Sequence, residues 1–154
     1  MEATINCMFR LALLALVALC AGCGGGAGQA ELGTVIVTLP DGFKVKAEML
    51  TREEDKARGM MFRDSLAEDR GLLFVHGAPG RYPYWMYQVK IPLDIIWMDR
   101  EHRVVEISEN TPPCKTGPRE CPTYGGKAEA SFVLEIGAGL ARKHSVDLGD
   151  RLEW

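Results

Sequence analysis

Two cysteines, Cys114 and Cys121, bracket the turn-rich segment Pro112-Pro-Cys-Lys-Thr-Gly-Pro-Arg-Glu-Cys-Pro122. Zinc would need two further ligands at sensible spacing, and none lies nearby in the sequence. A redox-active pair is usually C-x-x-C beside a helix start, and this spacing is not that. A structural disulfide is the remaining chemistry, and an oxidising compartment forms one by default. Closing so short a loop contributes about 2.5 kcal/mol in the chain-entropy model.

Other residue types could bind or react. Arg58 and Arg63 could grip a carboxylate in bidentate fashion; the plainer reading is a helix C-terminus offset by Arg58, with Met61 and Phe62 turning into the core. Arg81-Tyr-Pro-Tyr-Trp-Met-Tyr87 holds four aromatic residues. At strand period Tyr82, Tyr84 and Met86 face one way, Trp85 and Tyr87 the other. That segment is either core packing or a stacking platform for a sugar or peptide. Asp94 lies among apolar neighbours, where a carboxylate must be hydrogen-bonded or paired with an arginine.

No catalytic motif is present: there is no G-x-S-x-G, no H-E-x-x-H and no phosphate loop. His76, His102 and His144 are scattered. An enzyme acting on cell-envelope material would have to use Asp94 and His76 as acid and base. Met60, Met61 and Met86 would suit cuprous ion, although scattered methionines usually pack cores. No cofactor or metal is expected.

These residues must be positioned by short β-rich runs. Val35–Leu39 and Lys44–Leu50 flank Pro40-Asp41-Gly42, a hairpin signal. Further strands are expected at Leu72–Val75, Tyr84–Tyr87, Leu93–Met98, Val104–Ser108, Phe132–Ile136 and Arg151–Trp154, with Asp99–His102 as a second hairpin turn. Leu93–Met98 is apolar on both faces, as a doubly covered central strand would be. Thr51-Arg-Glu-Glu54 is a capping box and Gly59 a terminator, which places a helix near Arg52–Arg58; Leu140–His144 makes another turn or two. The fold class is mainly β: a single compact jelly-roll-like sandwich or barrel with one or two short helices.

The N-terminus speaks of location. An apolar run leads into Ala21-Gly22-Cys23, followed by Gly24-Gly25-Gly26. It is too short to span a bilayer, which takes about 20 apolar residues, and it resembles a bacterial lipoprotein signal, with Cys20 where leucine is usual. Met8 makes a better start than Met1, because Arg10 then sits beside the apolar core. Residues 1–22 are read as the signal peptide, 23–33 as the lipidated Cys23 with a flexible tether, and 34–154 as one β domain. Cleavage and lipidation remove Cys7, Cys20 and Cys23 from the thiol count and leave Cys114 and Cys121 as a pair. A random-coil tether of this length reaches roughly 17 Å. Several acyl chains, palmitate among them, at about 0.8 kcal/mol per buried methylene, hold a protein on a membrane durably. Gly24 rather than Asp after the cysteine resembles the sorting signal for an outer membrane. The expected place is the cell envelope, facing the periplasm if the source has an outer membrane.

Composition is that of a globular domain: 47% hydrophobic, 25% charged, formal net charge −3. No basic stripe runs along the sequence, so nucleic acid is not an expected partner. The expected partners are the membrane, through the lipid, and a small molecule or another envelope protein.

Arg58-Gly-Met-Met-Phe-Arg63, Gly71-Leu-Leu-Phe74, Trp85-Met86, Ile91-Pro-Leu-Asp94, Pro113-Cys114, Cys121-Pro122-x-Tyr124, Val133-Leu-Glu135 and Gly149-Asp150 follow one another in that order. From about Val35 to Trp154 the chain resembles the family called domain of unknown function 192. The resemblance implies a compact jelly-roll-like β-sandwich and no activity. Members usually continue Trp-Met with Lys-Asn-Thr, whereas Tyr87, Gln88 and Val89 follow here, so any ligand contacts of that triplet have changed. The blocks place polar or aromatic residues in three separate segments. We therefore expect Arg58, Arg63, Trp85, Tyr87, Gln88 and Asp94 to meet around one ligand-binding site, with Asp94 paired to Arg58 or Arg63, Trp85 or Tyr87 as a wall and Gln88 orienting the ligand.

Overall fold

The computed structural model describes residues 33–154. The stretches read as signal peptide, as the lipidation site Cys23 and as tether, Gly33 apart, lie outside the described residues. Two strands, β1 (Thr34–Thr38) and β2 (Lys44–Leu50), form the first hairpin. Its turn is the expected one: Gly42 has φ 88°, and the Asp41 carboxylate accepts the Phe43 N–H at 3.0 Å. Helix α1 (Glu53–Arg58) then carries the chain to β3 (Arg70–Gly80), which pairs with β2 in parallel. Such a crossover is how parallel neighbours are joined.

The rest follows as β4 (Tyr84–Trp85), β5 (Leu93–Met98), β6 (Val104–Thr111), β7 (Thr123–Tyr124), β8 (Ala130–Gly137) and α2 (Leu140–Lys143). The main sheet is mixed, in the order β1-β2-β3-β8-β5-β6, while β4 and β7 form a separate two-stranded ribbon. The described residues are mainly β with two short helices, and their main sheet stays open, so no barrel closes among them. Its C-terminal tail was expected to be a strand. It makes only two bridges, Thr38 to Glu153 and Arg103 to Arg151, which join the edge strand β1 to the start of β6.

Both faces of the main sheet are covered. On the first, Val45, Leu73, Ile96, Leu134 and Ile136 pack beneath α2 and the tail through Leu140, Ala141, Val146 and Leu152. On the second, Leu72, Phe74, Ile95, Trp97 and Val133 lie under Met60, Met86 and Val89. β5 contributes alternately to both, and all six of its residues are buried. That is the doubly covered strand the apolar run called for.

Three local expectations change. The capping box does not form: Arg52 occupies the N-cap, and no side chain bonds the free N–H groups there. Arg52 instead pairs with Asp55 at 2.7 Å and Glu54 at 3.2 Å. Strand β3 runs past Val75 to Gly80 through a register shift, although Gly77, Pro79 and Gly80 read as a loop; a bulge absorbs such residues without ending a strand. Finally, β7 is two residues long, too short for any periodicity to show.

The segment between β6 and β8 straps the second face. Cys114 and Cys121 stand in bonding geometry with Cα atoms 5.7 Å apart. Gly125, at φ 70°, lets the strap lie flat on Trp97, for a Cβ there would come within 2.1 Å of the indole. Gly125→Ala is therefore expected to destabilise the fold by about 3 kcal/mol. Gly117→Ala, with open space around it, should change stability by less than about 0.5 kcal/mol. Urea denaturation of the two variants checks the contrast.

Candidate functional site

A polar row crosses the second, otherwise apolar face. Pairing sets Glu48 of β2 level with Leu72 of β3, Leu72 with Glu135 of β8, and Glu135 with Ile95 of β5. Residues level across strands project from the same face, so both carboxyls point the same way. Glu135 is 4% exposed, and its Oε2 has no hydrogen-bond partner. Burial pushes its carboxyl up to about 8, against a smaller opposing pull from the Arg63 guanidinium. Leaving such an atom unpaired costs about 1–3 kcal/mol.

Arg63 is delivered by the tight turn that follows α1. Met60 anchors that turn in the core, and the Met61 N–H donates back to the Arg58 carbonyl at 3.0 Å. The guanidinium then donates to both oxygens of Glu48, at 2.8 and 2.7 Å. That fork holds the Glu48 carboxyl below its ordinary range. Geometry of this kind is worth more than an ordinary surface pair, and here it is half-buried.

The turn and the aromatic segment are stitched together by backbone. Phe62 and Gln88 both have positive φ, 67° and 56°, and the Phe62 N–H donates to the Gln88 carbonyl at 3.0 Å. The Cys114 N–H donates to the Met86 carbonyl at 3.1 Å, which ties the disulfide strap to the same segment. Non-glycine residues in the left-handed region cost about 1 kcal/mol or more and cluster where geometry is over-determined. Val89 is buried in the second core.

The six residues expected to meet do not all do so. Arg63 and the Tyr87–Gln88 segment are brought together. Trp85 is 40% exposed and packs on Tyr87, ring centroids 5.2 Å apart, while Tyr84 and Met86 turn inward. Gln88 is exposed and contributes its carbonyl, and Arg58 is exposed at the end of α1. Asp94 is the clear correction. It lies on the opposite face, level with Ile136, and pairs with neither arginine. Its two oxygens accept the Asn110 N–H at 2.7 Å and the Ala141 N–H at 2.8 Å. Those bonds fasten α2 and the end of β6 to the sheet. The burial compensation expected for Asp94 is there, but backbone supplies it.

The other candidates fall into place as well. His76 stacks on Tyr82, centroids 3.6 Å apart, with Nε2 3.1 Å from the Tyr84 hydroxyl. Burial, aided by Lys56, pushes its pKa down to about 4, so the ring is neutral at pH 7. His76 belongs to the second face and Asp94 to the first, so they cannot act as an acid–base pair. Met60 and Met86 are fully buried with Leu50, Leu72 and Phe74, and Met61 packs against them. Among the described residues no three His, Cys, Asp or Glu side chains are placed to hold a metal ion.

The family model of domain of unknown function 192, described as uncharacterized ACR, matches residues 36–154. The chain belongs to this family. A solved protein of unknown function from Novosphingobium aromaticivorans is similar at 30% identity and TM-score 0.73, over 82% of this chain and 89% of that one. A solved protein from Sinorhizobium meliloti, described as a putative transcription regulator, is similar at 25% identity and TM-score 0.72, over 82% of this chain and 97% of that one. No curated protein matches the chain.

Glu48 and Glu135 were missed in the sequence, though Glu135 carried a signal. It sits in Phe132-Val-Leu-Glu-Ile136, a carboxyl among apolar neighbours, as conspicuous as Asp94. Two outcomes separate the two acids. Asp94→Ala should cost about 3 kcal/mol in urea denaturation, because the buried Ala141 N–H and the part-buried Asn110 N–H lose their acceptor. For Glu135 the folded state holds its proton up to a higher pH than the unfolded state. Its contribution is thus complete below pH about 4.5 and lost as pH rises toward 8, at up to ~1.4 kcal/mol per pH unit. Glu135→Gln should remove that decline, and stability curves at pH 5, 6, 7 and 8, roughly spanning the window, would show it.

Proposed function

We propose that this chain is a lipid-anchored protein of the cell envelope whose β domain binds a small ligand or another envelope protein, without catalysis. The recognition centre is the row of Glu48, Arg63 and Glu135 beneath the turn at Phe62 and the segment around Gln88. One observation carries this reading: Glu135 is held in the core with an oxygen that nothing in the domain satisfies. A fold under selection for stability alone would place an apolar side chain there. Buried groups kept at a cost mark sites used for something else.

Anchoring rests on Ala21-Gly22-Cys23 and the disulfide on an oxidising compartment; both fit a domain strapped by Cys114 and Cys121. Transcription regulation, the role suggested for the Sinorhizobium protein, finds no support in a chain of net charge −3 with a lipoprotein-like start.

The test has two arms. Wild-type protein isolated from the envelope should partition into detergent and carry acyl mass by intact mass spectrometry, with Cys114 and Cys121 linked in a non-reducing peptide map; Cys23→Ser should abolish the acyl mass. Glu135→Leu should raise stability by about 1–3 kcal/mol while losing any small molecule that native mass spectrometry finds on the wild type. A destabilised Glu135→Leu would show that the carboxyl serves the fold, and would end the recognition reading.

A further inference from the structure

The outer side of the strap and roof has a composition unlike the rest of the chain. Phe62 is 52% and Trp85 40% exposed, two of the four large hydrophobic residues exposed among the described residues. Tyr87 packs on Trp85. The bonds from Phe62 to Gln88 and from Cys114 to Met86, with the pairing of Trp85 to Thr123, place these rings and the disulfide loop on one side. Charge is just as uneven. Residues 81–90 and 112–122 carry Arg81, Lys90, Lys115 and Arg119 against a single carboxylate, Glu120. The chain as a whole has 18 basic and 21 acidic residues. Among the described residues no carboxylate pairs with Arg81, Lys115 or Arg119, and all three are exposed; only Lys90 is engaged, by Asp64.

The chain also enters the domain next to this side. The Met49 N–H donates to the Gly33 carbonyl at 2.7 Å. Neighbouring Glu48 is gripped by Arg63, which follows Phe62 in the chain. Gly33 is therefore the exit toward Cys23, and the tether read from the sequence spans roughly 17 Å. A domain on so short a lead meets the membrane constantly, and the face beside its exit meets it first. Aromatic rings with a cationic rim are what a bilayer interface favours, the rings settling at headgroup depth and the cations on anionic lipid.

We propose that the face carrying Phe62, Trp85 and Tyr87, rimmed by Arg81, Lys115 and Arg119, docks on an anionic lipid bilayer as a second attachment beside the lipid. The proposal rests on the anchored reading above but does not depend on the Glu135 site. Several acyl chains on Cys23 would already anchor the protein durably, so the contribution of the docked face is orientation of the domain on the surface. Docking would set the orientation of the roof over Glu48, Arg63 and Glu135, with that roof toward the membrane.

The experiment uses the full acylated protein on vesicles with brominated acyl chains, made of phosphatidylcholine alone or mixed with phosphatidylglycerol. Flotation reports anchoring, and tryptophan quenching reports docking. Of the three tryptophans, Trp97 is fully buried and Trp154 is packed against the core of the opposite face, stacked on His102, so a Trp85→Phe variant identifies the signal. The expected result is flotation on both vesicle types, with quenching that depends on phosphatidylglycerol, falls with salt and vanishes in Trp85→Phe. Arg81→Glu and Arg119→Glu, both at exposed positions, should each reduce the docked fraction roughly fivefold. Flotation without quenching of Trp85 on the anionic vesicles would overturn the docking and leave the anchor standing. Failure to float on phosphatidylcholine would sink the anchor instead; charge-dependent quenching on anionic vesicles would then still support the face, and its absence would overturn it. Salt-sensitive quenching by an acidic protein but not by anionic vesicles would assign the face to a protein partner and reject the membrane.

Discussion

Strands β3, β8 and β5 lie side by side in the middle of one sheet, and each presents apolar side chains on both faces. An exposed apolar face costs about 25 cal/mol for each Å² left in water, so both sides of this sheet must be roofed. The described residues offer little regular structure to do it with: the two helices among them are six and four residues long. Turns, the C-terminal tail and a disulfide strap therefore take the place that helix layers fill in a doubly wound fold. That requirement explains why segments without periodicity, such as Met60–Arg63 and Met86–Val89, hold core positions.

Roofing a sheet with irregular backbone has consequences for the site. Loops over a core must satisfy their own N–H and C=O groups, and here they do so by bonding to each other, Phe62 to Gln88 and Cys114 to Met86. Meeting those constraints drives two non-glycine residues into the left-handed region. The same turn that buries Met60 aims Arg63 at Glu48, so the position of the guanidinium is a by-product of how the core is covered. A roof of this kind also has an outside, and that outside carries Trp85 and Tyr87 rather than apolar packing.

The two carboxyls inside the sheet show how one physical rule reaches different ends. Asp94 and Glu135 both stand in apolar strand sequence, and both need compensation for burial. Asp94 finds it in two backbone N–H groups and becomes the clamp that joins α2 and β6 to the sheet. Glu135 has only a partial counter-charge in Arg63, already committed to Glu48, and is left proton-bearing at neutral pH. Stability accounts for the first; the second has no such compensation within the domain.

Much was determined by the sequence alone, because the signals concerned are local. The Pro40-Asp41-Gly42 hairpin, the doubly covered run Leu93–Met98, the helices near Glu53 and Leu140, the split of Tyr84 and Met86 from Trp85 and Tyr87, and the mainly β class all follow from backbone preference or period over a few residues. What required the tertiary structure was everything set by distance across the sheet. Strand order, the parallel pairing of β2 with β3, the face on which Asp94 emerges, and the meeting of Arg63 with Glu48 depend on register between segments far apart in sequence. A side chain's face flips with each one-residue shift of register. Composition showed that Asp94 must be compensated; only the packed sheet could show that backbone N–H groups, and not an arginine, would do it.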